Sequence, residues 1–172
     1  AHGDWRAALA RLPFDLPEMA ATAAAGEIKR LDLLVVGIGR PRLEDFDKDN
    51  RFVGREAAPG KAGEDPALDW LIRNGKEVAD FVSGGGAVLV LPVQEEAELA
   101  WLPFGVKLEM TKVHAARPGD FFASGAVGPA DLYWRRAVEM PLPAGLPKGS
   151  RSTAPALLAR VPWGKGEFIL CQ

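Results

Sequence analysis

The stretch Val78-Ala79-Asp80-Phe81-Val82-Ser83-Gly84-Gly85-Gly86-Ala87-Val88-Leu89-Val90-Leu91 holds a helix end, a glycine turn and a strand in direct succession. Upstream of it, Leu68, Leu71, Ile72, Ala79 and Val82 recur at helical spacing and make one apolar face. Asp65 stands where an N-cap belongs, with Pro66 at the first helical position. The three glycines end that helix, because glycine best tolerates the left-handed conformation found past helix C-termini. Ala87 to Leu91 is then a short apolar run closed by Pro92, which reads as a strand buried on both faces. A phosphate cradle has the opposite order, strand first and helix second, so the glycines predict a C-cap and no anion site.

Working outward, Leu33 to Ile38 is a second short apolar run bounded by glycine. Asp4 to Arg11 and the alanine-rich stretch Pro17 to Lys29 read as helical. Gly39 to Glu64 is polar and charged and reads as a long loop. A short helix is expected over Gln94 to Trp101, with strands around Val106 to Ala115, Ala130 to Arg136, Ala156 to Val161 and Glu167 to Cys171. Pro141 to Pro155, rich in Pro, Gly and Ser, reads as loop. Helices separated by short apolar strands predict an α/β fold of three layers with a mostly parallel sheet. The whole chain, 1–172, is expected to form one domain, a helical lead-in at 1–30 followed by a core at 31–172. Its two ends read as trimmed to domain limits, as in a piece of a longer protein.

Composition narrows the function classes. The chain of 172 residues carries 21 basic and 23 acidic side chains, a net charge of -2, interspersed along its length. No basic stripe of the kind nucleic acid requires is present, and no apolar run approaches a membrane span. Nucleic acid and membrane are therefore not expected partners. Cys171 is the only cysteine, which excludes an internal disulfide and a cysteine-built zinc cluster.

Several residues invite a chemical reading. Gly37-Ile38-Gly39 sits at a strand end, but Arg42 occupies the third position of the dinucleotide fingerprint, so no cofactor site is expected. In Asp45-Phe46-Asp47-Lys48-Asp49-Asn50, counted from Asp45, acids stand first, third and fifth, and Glu56 falls twelfth. That is the oxygen-ligand spacing of a calcium loop, with Asn50 at the position of the sharp turn. The alternative is a solvated loop whose acids pair with Arg51 and Arg55, and no metal ligand is assigned. The acids between Glu44 and Glu56 could also serve an independent hydrolase. The two histidines, His2 and His114, have no nucleophile beside them in any known motif, and Cys171 belongs to a strand expected to be buried. Trp70, Trp101, Tyr133, Trp134 and Trp163 are core or interface residues, or else a sugar-stacking platform in which Trp134 and Trp163 near turns would lead.

The helix, glycine turn and strand of Val78 to Leu91 resemble the class I glutamine-amidotransferase-like fold. Leu33 to Ile38 and the ending Gly164-Lys165-Gly166-Glu167-Phe168-Ile169-Leu170 are similar to the same plan, and Asp131-Leu132-Tyr133-Trp134-Arg135 resembles a segment of such domains attached to glycoside hydrolases. The chain especially resembles the form attached to glycoside hydrolases, as in the trimerisation domain of bacterial β-galactosidases. The resemblance implies a flavodoxin-like scaffold. It departs from the active amidotransferases where their nucleophilic cysteine would stand, because the strand here ends in Leu91-Pro92-Val93-Gln94. The expectation is therefore a non-catalytic accessory domain of a multidomain glycoside hydrolase, packed on the catalytic domain or making subunit contacts. No catalytic residue is assigned. Carbohydrate binding is the competing reading.

Overall fold

The computed structural model describes residues 9, 17–40, 43–46, 52–55, 58–117 and 132–172, with the backbone alone at 43–46, 52–55 and 135. Asp65 and Pro66 open helix α1, Pro66–Ser83, as its residue types require: the Asp65 carboxylate accepts the main-chain N–H groups of Ala67 and Leu68. Gly84, Gly85 and Gly86 close the helix, their N–H groups returning to Asp80, Val82 and Phe81. The helix bends at Asn74, whose side-chain amide donates to the carbonyl of Trp70. At the next residue, Gly75, a Cβ would stand 2.7 Å from the Trp101 carbonyl oxygen, so only glycine lets that loop approach.

The principal sheet has five strands in the order β1 (Leu33–Val36), β4 (Ala87–Val90), β9 (Gly166–Cys171), β8 (Leu158–Trp163) and β7 (Arg151–Ser152). β1, β4 and β9 are parallel; β8 and β7 continue the sheet antiparallel. Between β1 and α1 lies a separate hairpin, β2 (Leu43–Phe46) with β3 (Phe52–Arg55), its base closed by the Arg40–Ala58 bridge. Between β4 and β7 lies a longer antiparallel ribbon, β5 (Lys107–Ala115) with β6 (Tyr133–Ala144).

This corrects the expected three-layer, flavodoxin-like α/β fold with a mostly parallel sheet. Strand outweighs helix, and the sheets are mixed or antiparallel. Three local causes account for the difference. Gly164 and Lys165 alone separate β8 from β9, and so short a connection can only make a hairpin, since a parallel crossover needs a dozen residues or more. The alanine-rich stretch from Pro17 forms only a 3-10 turn at Ala25–Arg30, because alanine supplies propensity without an apolar face to bury. The supposed loop around Pro141 is the C-terminal part of a twelve-residue strand, and the supposed loop after Gly39 contains the β2–β3 hairpin. The reading of Asp4 to Arg11 lies, apart from Leu9, outside the described residues.

One face of the five-stranded sheet makes the core. Leu34, Val36, Val88, Val90, Ala159, Val161, Phe168 and Leu170 alternate onto it and meet Leu68, Leu71, Val78, Phe81 and Val82 of α1. Ile28 of the 3-10 turn and the Leu99–Leu102 segment complete the cluster, and the Trp70 indole N–H ties the lead-in down through the Ala23 carbonyl. The other face carries Leu33, 44% exposed, with Val35, Leu89, Leu158 and Ile169 half-buried, and a bidentate ion pair between Arg160 and Glu167. A smaller cluster of Val113, Ala116, Leu132, Leu142 and Leu157 sits under the β5–β6 ribbon. Among the described residues no helix is long and apolar enough to cross a membrane.

Candidate functional site

Parallel strands direct their C-terminal loops to one edge of a sheet, where ligands of α/β proteins bind. Here that edge gathers the loops after β1 and β4, and two carboxylates reach into it. Asp65 caps α1 with one oxygen and with the other accepts the Gly39 N–H at 2.7 Å. Glu98, fully buried, accepts the Gly60 N–H at 2.7 Å on one oxygen, and those of Gln94 and Glu95 at 2.5 and 3.0 Å on the other. Glu98 lies on a 3-10 turn, Glu96–Leu99, whose N-cap Glu95 completes a capping box with it.

Chemically the arrangement is a double clasp. Gly39 adopts φ +64° and its position is crowded by the Ala58 carbonyl, so the two sides of the β2–β3 hairpin base meet as bare backbone. Asp65 holds one side and Glu98 the other. Both acids thus have their oxygens engaged by main-chain donors, which fixes them as acceptors and leaves them unlike a general acid or nucleophile poised toward a cavity. The sequence pattern disclosed the cap at Asp65 but not the role of Glu98. The Glu95-x-x-Glu98 spacing was its one local signal, and Gly60 lies 38 residues away.

The residues singled out by pattern are dispersed. Asp45 lies on β2 opposite Val53, and Asp47, Asp49, Asn50 and Glu56 lie outside the described residues. Strands, not helices, flank that acidic segment, and among the described residues no three His, Cys, Asp or Glu side chains gather as a metal-binding group. Trp70 and Trp101 are buried. Trp163 packs beside Phe104 on the main core, and Trp134 packs on the smaller one, each half-buried. Tyr133 is 56% exposed, its ring edge-on to His114 at 4.8 Å. Among the described residues, open hollows of about 340 Å3 along Glu96 to Val106 and about 250 Å3 between Gly85, Arg160 and Lys165 are lined by neither Asp65 nor Glu98.

Cys171 sits on β9 with its thiol pushed above the ordinary value of 9.0 by burial. A raised folded-state value means that the native protein keeps the proton longer than the unfolded chain. The associated stability is complete below pH 9 and is lost as pH rises through the folded value. The urea midpoint is therefore expected to fall further between about pH 8 and about pH 10 in the native sequence than in Cys171→Ala. Equal falls in the two proteins would contradict a buried thiol. Comparison of the chain with known protein families, with curated proteins and with solved structures yields no match.

Proposed function

We propose that this chain is a non-catalytic accessory domain of a multidomain glycoside hydrolase, packing against the catalytic domain. The observation that carries the non-catalytic reading is the double clasp. Two acids at the strand ends, Asp65 and Glu98, serve the backbone, and the strand after the glycine turn runs into Leu91-Pro92-Val93-Gln94 without a nucleophile. The docking part of the reading is supported by the second face of the sheet. A three-stranded parallel unit is ordinarily covered on both faces, and Leu33, Val35, Leu89 and Ile169 there are aliphatic and incompletely buried. The glycoside-hydrolase parent is supported by the resemblance of Val78 to Leu91 and of the segment around Tyr133 to such accessory domains.

The test is hydrolysis of an aryl-glycoside panel by the longer parent protein, with and without this segment, and by the segment alone. The expected result is turnover by the parent, loss of activity or altered assembly on deletion, and no turnover by the isolated chain. A parent inactive on every glycoside would overturn the family assignment. Turnover by the isolated chain would overturn the accessory role.

A further inference from the structure

Among the described residues the β5–β6 ribbon is a sheet of two strands, and such ribbons gain stability from further strands. Its register shows where one can be added. In an antiparallel ladder, alternate residue pairs exchange both main-chain hydrogen bonds, and the pairs between them turn their N–H and C=O groups outward. The Leu108 N–H donates to Glu96 Oε1 at 3.0 Å, outside the ladder, so the pair Leu108–Pro143 is of the outward kind. Two and four residues on, Met110–Pro141 and Lys112–Glu139 share that parity.

The two edges consequently differ. On β6, Pro141 and Pro143 occupy outward positions and have no N–H to offer, which blunts that edge. On β5 the edge is closed at one end by Glu96 and beyond the other by Arg117, whose N–H and carbonyl pair with Ala154. Between these stops the N–H and C=O of Met110 and of Lys112 face outward without a main-chain partner among the described residues. Met110 is also 68% exposed.

We propose that this window on β5 is a self-association site, in which the β5 edges of two copies pair antiparallel about a two-fold axis at Thr111. In that register Met110 of each copy faces Lys112 of the other, and both pairs can exchange two main-chain bonds. Threonine faces threonine at the axis, a favourable cross-strand pair. Each row across the resulting four-stranded sheet reads Pro141, Met110, Lys112, Glu139, so every lysine has its own strand partner's acid beside it and an apolar side chain across the seam. Centring the axis on Lys112 instead would set like charges opposite one another. A second copy also closes the assembly, because both outer edges are then the proline-blunted β6 strands. The inference goes beyond the accessory-domain reading and does not depend on it.

Sedimentation of the 172-residue chain over a wide concentration range tests this. The expected result is a reversible monomer–dimer equilibrium. Lys112→Pro removes an outward N–H that the ribbon ladder does not use, and is expected to weaken the dimer at least about tenfold with the far-ultraviolet spectrum unchanged. Met110→Lys sets lysine against Lys112 of the other copy without touching the backbone. It is expected to weaken the dimer similarly, and it carries the test if the proline variant unfolds. A monomer at every concentration, or a dimer that Met110→Lys leaves intact, overturns the proposal.

Discussion

Glu98→Gln is expected to lower the thermal unfolding midpoint by roughly 6–12 °C, the consequence of losing about 3 kcal/mol in a domain of this size. The substitution keeps shape and volume and changes only what the side chain can accept. The carboxylate takes main-chain N–H groups on both oxygens, from Gly60 on one and from Gln94 and Glu95 on the other. An amide has one acceptor oxygen and one NH2, so one side of the clasp would set donor against donor. Buried donors left unsatisfied cost about 1–3 kcal/mol each, and Glu98 itself is fully buried, as is its bond from Gly60. Differential scanning calorimetry measures the shift. A change of under about 2 °C would show that the clasp contributes little and that the hairpin base is held by the Arg40–Ala58 bridge instead.

Phe168→Ala is expected to cost about 3–5 kcal/mol, a large share of the roughly 5–15 kcal/mol by which domains are stable. Phe168 is fully buried in the middle of β9, with Val88 beside it on β4 and Val161 on β8. Its ring stands edge-on to Phe104 at 5.4 Å and tilted against Trp101 at 6.3 Å, so it joins the sheet to the segment that follows β4. Truncation removes the aromatic contacts and leaves a cavity that strands on both sides prevent from collapsing. Urea unfolding of the variant checks the loss as a fall in midpoint at unchanged slope. Leu33→Ala on the opposite face, where the side chain is 44% exposed, is the matched control and is expected to shift stability by under about 1 kcal/mol.

The local punctuation of this chain was legible in its residues. Asp65 and Pro66 start α1, three glycines stop it, and Ala87 to Val90 forms the strand that follows, because each of these signals acts within a few residues. Leu68, Leu71 and Val82 of the expected α1 face are buried, but Ile72 is 48% exposed, and β4, apolar at every position, buries alternate residues rather than both faces alike. Strand direction was not legible. Two residues between β8 and β9 turn half of an expected parallel sheet antiparallel, and prolines that suggested a loop are accommodated at the outward positions of β6. The clasp was hidden for a similar reason. Glu98 has meaning only once Gly60, 38 residues earlier, lies against it. Caps and glycines marked the ends of α1 and the start of β4 because they act over a few residues. Which strand edges meet became readable in the folded chain alone, because pairing depends on hydrogen bonds between segments far apart in sequence.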